Sequence, residues 1–499
     1  PYDPPEPFRS SYAGNPYLGE IAYMDSQLGR LVAAFETRAA DRPWRILVVG
    51  DHGEGLGDHG ETFHGNLLYQ GVMRVPLVIA GSDLAKGRVV AEPVSIRRVY
   101  DTILGWASVG SATQPHPPGP GGLLDGNAET VFAEGMKPFL EYGWQPQVMA
   151  VAGSFKAIWA GRLEVYDLAV DPRETRDLAG EVELDAGVLA GLQELQEYAV
   201  PGRSDGERRV DEDTRARLAA LGYTSGETSP AQRRDGPAPR EMVHLFADLD
   251  LGSGLFLQHR YGEAVPVLER LTRADPGNVT VHLRLAVARS VLGQTELAEQ
   301  SFERARALAL DSPDISHYLG LHYLRAGRLA DAERLLTEVL ATSPDRLPTL
   351  EALAEIRARQ GRLDEAADLV EQAMALATAP SPRLLVLAGE LGMTRGDTAL
   401  ARDAFERARD LQGDSFAHDL ELGVLYLAER RFVEARDALD RVPPGHPARA
   451  MALFKRAQVS VLLGESDREQ RVAEAWRNAD AEVRDLMRSE RLFAGIALE

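Results

Sequence analysis

Three of the chain's 11 histidines, His52, His59 and His64, fall within 13 residues, and Asp51, Glu54, Asp58 and Glu61 are interleaved with them. Imidazole and carboxylate are the side chains that hold hydrolytic divalent metal ions. Six glycines in the same stretch (Gly50, Gly53, Gly55, Gly57, Gly60 and Gly65) let the backbone turn sharply and approach a ligand closely. A solvated acidic loop with incidental histidines would have the same composition. What favours a metal is the position of the cluster along the chain.

Residues 46–49 form an apolar run stopped by Gly50, with the length and Val/Ile/Leu content of a buried parallel strand. A second such run covers 75–79. Ligands of open α/β sheets lie beyond the carboxyl ends of strands, which is where Asp51 and His52 stand. Ahead of this pair, 17–38 reads as an amphipathic helix opened by Pro16, with Ile21, Met24, Leu28, Leu31, Val32 and Phe35 on its inward face. Glu20 and Asp25 on that helix are expected to be structural pairing partners, because a charge buried beside a sheet must be paired.

Residues 94–106 predict another helix, with Ile96, Val99, Ile103 and Leu104 inward and Arg98, Asp101 and Thr102 serving capping and packing. Residues 113–126 are a loop by composition, and His116 within it reads as solvated. Four short strand-like runs between 130 and 168, parted by Gly and Pro, predict a small antiparallel sheet. Glu134 and Lys156 are its polar members, with Lys156 expected to be a solvated rim side chain. Residues 184–223 read as helical and polar, and 224–240, rich in Pro, Gly and Ser, as a linker.

Beyond residue 241 the period changes. Ala264, Ala298, Ala332, Ala366, Ala401 and Ala435 recur at intervals of 34, 34, 34, 35 and 34. Gly293, Gly327, Gly361 and Gly396 precede the alanine by five, and Phe302, Leu336, Val370 and Phe405 follow it by four. This resembles the tetratricopeptide repeat, a helix–turn–helix unit that buries its apolar face only by stacking on its neighbours. Six repeats are expected over 242–446, with a helical cap over 447–499. The first helix of each pair should line a concave face carrying His317, Arg325, Glu351, Glu355, Arg359, Arg383 and Glu390. Mixed charges of this kind suit an extended protein or peptide partner held by salt-sensitive polar contacts.

Composition narrows the function classes. A length of 499 residues predicts two or more domains. A net charge of −21 argues against non-specific nucleic-acid binding. The absence of cysteine excludes disulfides, thiolate nucleophiles and Cys-based zinc sites, and leaves the compartment open. No apolar run reaches the length of a membrane span.

Several ordered stretches resemble the sulfatase family of the alkaline phosphatase superfamily: PYLGEIAYMDSQLGRL (16–31), VVGDHGEGLGDHG (48–60), HGNLLYQGVMRVPLVI (64–79) and GSFKAIWAGRLEVYDLAVDPRETRDLAG (153–180). The resemblance implies an α/β sulfatase-like partial domain with a small antiparallel sheet over 1–223, a linker over 224–240, and an all-α tetratricopeptide solenoid over 241–499. It implies one divalent metal held by Asp51 and His52, and a substrate-facing role for His64. Sulfatases often carry Asn at the second metal position, with calcium as the ion. His52 supplies nitrogen and leans towards manganese or zinc. The family's nucleophile lies in a segment that would precede Pro1, so this chain is expected to lack it. Two functions compete. One is a sulfuric ester hydrolase, with a phosphoester or phosphonate hydrolase as runner-up. The other is a non-catalytic interaction protein working through its repeats. The resemblance also suggests a periplasmic or cell-envelope setting.

Overall fold

The computed structural model describes residues 2–39, 42–107, 122–124, 129–199, 236–309, 312–413 and 416–498. His116 and the segment expected to link the two halves, up to residue 235, lie outside them. The described residues up to 199 group with 236–257 and 267–279 as one compact unit, and 258–266 with 280 onward as a second.

In the first unit a short helix α1 (Phe8–Ser11) leads into α2 (Pro16–Ala39). The apolar stripe of α2 is there, but it faces outward. Ile21, Met24, Leu31 and Phe35 are exposed, and only Gly19 and Ala39 are buried. Glu20 accepts the Asp3 N–H at 2.7 Å, whereas Asp25 is exposed rather than buried beside a sheet.

Strand β1 (Arg45–Val49) pairs with β2 (Leu77–Gly81) in antiparallel register, Leu47 opposite Ile79. The expected parallel, fully buried strand is therefore corrected: β1 is half-buried and runs against β2. The connector explains the direction. A parallel pair needs a crossover of a dozen or more residues, usually a helix. Between 50 and 76 the only helix is the four-residue α3 (Gln70–Met73), and the chain simply folds back.

Helix α4 (Arg98–Trp106) turns a different face inward from the one its apolar residues predict. Ile96 and Ile103 are exposed, while Arg98 and Thr102 are buried. Arg98 Nε pairs with Glu129 Oε1 at 2.8 Å, and Thr102 Oγ1 accepts the Leu123 N–H at 2.8 Å. The predicted antiparallel sheet forms in the order β3 (Val131–Gly135), β4 (Gln147–Ala152), β5 (Phe155–Trp159), β6 (Leu163–Asp167). Helix α5 (Ala186–Ala199) covers one face, burying Val188 and Leu192 against Val148, Ala150 and Ala157.

The repeats follow their period closely. All six recurring alanines, Ala264 to Ala435, are fully buried. Gly293, Gly327, Gly361 and Gly396 hold φ between +74° and +76°, the left-handed end of the first helix that glycine adopts without strain. A second small position, on the first helices, reads Gly252, Ala286, Gly320, Ala354, Gly389 and Gly423. It gives room to the side chain that each second helix inserts: a Cβ on Gly389 would lie 2.6 Å from the Phe405 ring. The cap helices Arg449–Leu463, Arg468–Asn478 and Ala481–Ser489 close a cluster of Phe454, Val472, Met487 and Phe493.

Candidate active site

At the carboxyl end of β1 the Gly50 N–H donates to Pro76 O at 3.1 Å, and the Gly53 N–H donates to Val72 O at 2.6 Å. A Cβ on Gly53 would fall 2.2 Å from Gly71 O, so only glycine allows this approach. Asp51 and His52 thus occupy a short bridge pinned at both ends.

The Asp51 side chain is 87% exposed. Its Oδ1 accepts the His52 N–H at 2.9 Å. That bond, with the His52 and His64 rings nearby, holds the carboxyl below the usual range against an opposing effect of burial. His52 Nδ1 is 2.8 Å from Gly53 O. A carbonyl only accepts, so Nδ1 carries the proton and Nε2 keeps its lone pair. Nε2 stands 3.9 Å from Asp51 Oδ2. An imidazole anchored to a carbonyl through one nitrogen, with the other free beside a carboxylate, is how metal-ligating histidines are commonly held.

His64 returns to this pair on a hairpin. Gly55, Leu56 and Gly57 donate to the carbonyls of Phe63, Thr62 and Glu61 at 2.7, 3.0 and 2.8 Å. The His64 ring lies against that of His52, centroids 4.0 Å apart and planes tilted by 33°. Its Nδ1 is 3.2 Å from Glu54 Oε1, and Tyr2 OH donates to Glu54 Oε2 at 2.5 Å. The structure therefore brings Asp51, His52 and His64 together. It adds Glu54, which the sequence showed only as one of the interleaved carboxylates, and Tyr2, 52 residues away, for which the sequence held no signal.

The other members of the cluster turn away. His59 occupies a tight turn at φ +48°, stacks on Tyr69 at 3.6 Å, and donates from Nε2 to Glu174 O at 3.1 Å. Glu61 is 2% exposed and accepts the N–H groups of Asn66 at 2.7 Å and Leu67 at 3.1 Å. Burial pushes its carboxyl up to about 7, although the two N–H bonds oppose the shift. Lys156, expected at a solvated rim, is fully buried and paired with Glu174 at 2.6 Å. It lies on β5 between paired neighbours β4 and β6, a central position that composition could not distinguish from an edge.

Asp51 and His52 fit one side of a divalent ion's coordination shell, one oxygen and one nitrogen. Among the described residues no group of three or more His, Cys, Asp or Glu is arranged to hold an ion. An ion held by this pair would need further ligands beyond these two residues.

Residues 2–109 match the sulfatase family model. Residues 255–320, 323–385 and 387–450 match tetratricopeptide repeat models. The chain joins a sulfatase-family domain to tetratricopeptide repeats. A sulfatase from Formosa agariphila is 28% identical over 162 residues, 32% of this chain and 31% of that one. A choline-sulfatase from Rhizobium meliloti is 32% identical over 193 residues, 36% of each chain. The chain thus spans about a third of the length of these sulfatases. The cellulose synthase operon protein C of Pseudomonas fluorescens is 26% identical over 242 residues, 45% of this chain and 18% of that one. Among solved structures, the C-terminal part of a TPR repeat-containing protein from Cytophaga hutchinsonii matches at 16% identity and a TM-score of 0.35, covering 47% of this chain and 98% of that one. No helix among the described residues is long and apolar enough to cross a membrane.

Proposed function

We propose that the sulfatase-family part of this chain supplies the metal-binding and ester-facing residues of a sulfuric ester hydrolase, and that the repeats hold a protein partner. The convergence of Asp51, His52 and His64 at the end of β1 carries the first half of this reading. A bound divalent ion would polarise the ester and stabilise developing negative charge. Asp51 and His52 would hold it through Oδ2 and Nε2. His64, alongside, would donate a hydrogen bond from Nε2, when its ring carries both protons, to an ester oxygen, either the leaving oxygen or a non-bridging one.

Phosphoester or phosphonate hydrolysis is the second reading, favoured by the free Nε2 of His52, a nitrogen ligand suited to manganese or zinc more than to calcium. Titration calorimetry of the full chain with manganese, zinc and calcium tests the pair directly. Asp51→Ala should abolish binding of the preferred ion, and equal binding by wild type and variant would remove the assignment. Turnover of an aryl sulfate against an aryl phosphodiester by the whole protein separates the two ester classes. Neither binding nor turnover would leave an interaction protein working through its repeats.

The repeats suggest protein partners, and the first helices of the pairs are the expected docking face. Arg325 Nη1 donates to Ser290 Oγ at 2.8 Å, and Glu355 pairs with Arg359 at 2.5 Å and with Arg383. Glu351 accepts from Ser381 Oγ at 2.9 Å. His317 does not belong to that surface: it is 3% exposed, shares a hydrogen bond with Thr349 Oγ1 at 2.9 Å, and is pushed down to about 3 by burial. A pull-down comparing wild type with Arg325→Glu plus Arg359→Glu tests this face. Equal recovery of the same proteins would rule it out.

A further inference from the structure

Glu54 is held from both sides beside His64. Its side chain is 12% exposed. Oε1 is 3.2 Å from His64 Nδ1, and Oε2 accepts the Tyr2 hydroxyl at 2.5 Å. The Tyr2 phenol is held protonated, pushed up first by burial and then by Glu54, so it remains a donor. With Oε2 bound in this way, Oε1 is turned to the imidazole.

We infer that Glu54 is the positioning residue of His64, and that Tyr2 fixes Glu54 in that role. A carboxylate only accepts, so the proton of the neutral His64 ring is drawn to Nδ1. Nε2, on the far side of the ring, is left as the nitrogen that exchanges a proton with an ester oxygen. Among the described residues no hydrogen bond reaches it, and the carboxylates of Asp51 and Asp250 lie within electrostatic reach of the ring. The His52 ring, 4.0 Å away, limits rotation of His64 out of this orientation. His64 and His52 thus share one construction: each is anchored through Nδ1, His52 to a backbone carbonyl and His64 to a carboxylate, and each leaves Nε2 free. The two anchors differ in charge.

The assignment rests on the reading of His64 as the group facing the ester, but its test does not need turnover. In the metal-free full chain labelled with 15N-histidine, long-range 1H–15N correlation above the imidazole titration range reports which ring nitrogen carries the proton. The His64 signal is identified by its loss in His64→Gln. Wild type is expected to show the Nδ1–H form. Glu54→Ala should shift His64 to the Nε2–H form that a solvated imidazole prefers, with the signals of buried His317 and His322 unmoved. Glu54→Gln, which keeps an acceptor oxygen, should retain Nδ1–H. An Nε2–H form in wild type overturns the inference, and that result needs no variant to fold. An unchanged tautomer in folded Glu54→Ala overturns it as well. Absence of ester hydrolysis by the whole protein would instead overturn the hydrolase reading and leave the tautomer result standing.

Discussion

The ammonium of Lys156 lies 2.6 Å from Glu174 Oε1, and both side chains are fully buried. The other oxygen, Oε2, accepts the Gln70 N–H at 2.6 Å, at the start of α3. Because α3 also supplies the Val72 carbonyl that pins Gly53, the buried pair supports the bridge carrying Asp51 and His52. Burial lowers the Lys156 pKa, with Glu174 opposing the change. Lys156→Met should cost about 3–5 kcal/mol, because Glu174 is left as an uncompensated buried charge. Lys156→Met with Glu174→Gln should recover much of that loss. Urea denaturation of the three proteins measures it, and equal stability of the single and double variants would show that no such charge was stranded.

Glu61 gives a dependence on pH with a definite sign. Its folded carboxyl is pushed up to about 7 from an ordinary 4.5. Between these values the unfolded chain gives up its proton first, so the contribution of Glu61 to stability falls as pH rises from about 4.5 to about 7. The full difference is on the order of 3 kcal/mol. Glu61→Gln cannot ionise and should remove this slope. The unfolding free energy of wild type should therefore fall relative to that of the variant between pH 5 and pH 7.5. A constant difference at the two pH values would mean that Glu61 is ionised throughout.

Three donors converge on the buried Glu164: Tyr69 OH at 2.8 Å, Tyr166 OH at 2.6 Å and Arg240 Nη1 at 2.9 Å. Arg240 comes from the segment entering the repeats, and Tyr69 is the ring on which His59 stacks. Arg240→Met should destabilise the first unit by about 1–3 kcal/mol, since Arg240 is partly exposed and Glu164 keeps its two tyrosine donors, and speed amide exchange over 55–67. Adding Glu164→Gln should reverse much of both. Unchanged exchange over 55–67 would uncouple the hairpin from Arg240.

In the repeats, an added methyl should do harm where glycine replacement in a helix ordinarily helps. A Cβ on Gly320 would lie 2.8 Å from Leu336 Cδ2 and Cγ. Gly320→Ala should cost about 1–3 kcal/mol through overpacking, outweighing the roughly 1 kcal/mol that alanine gains over glycine in a helix. Combining it with Leu336→Ala should show a strongly non-additive loss. Additive losses in denaturant would mean that Leu336 simply moves aside.

The repeats were the most legible part of the sequence because one physical rule, a small residue wherever two helices touch, is written six times at a fixed interval. The second small position, from Gly252 to Gly423, obeys the same interval and could have been read in the same way. At the candidate site, Asp51, His52 and His64 were legible because they lie close together in sequence. Glu54 was visible only as a charge, since its role depends on Tyr2, brought in by the fold. Lys156 misled because sequence gives the type of a side chain but not whether its strand is central. Strand direction was misread for a related reason: β1 and β2 have the composition of parallel strands, yet direction is set by the length of helix in the connector.

The apolar stripe of α2 bears on how the isolated chain should behave in solution. Leu18, Ile21, Met24, Leu31 and Phe35 all lie open on this one 24-residue helix. An uncovered patch of this kind attracts other apolar surfaces. Raising the salt concentration weakens the mutual repulsion that a net charge of −21 provides, and leaves this stickiness unopposed. Light scattering of the protein should therefore climb with ionic strength, and handling it in dilute buffer should preserve a monodisperse sample.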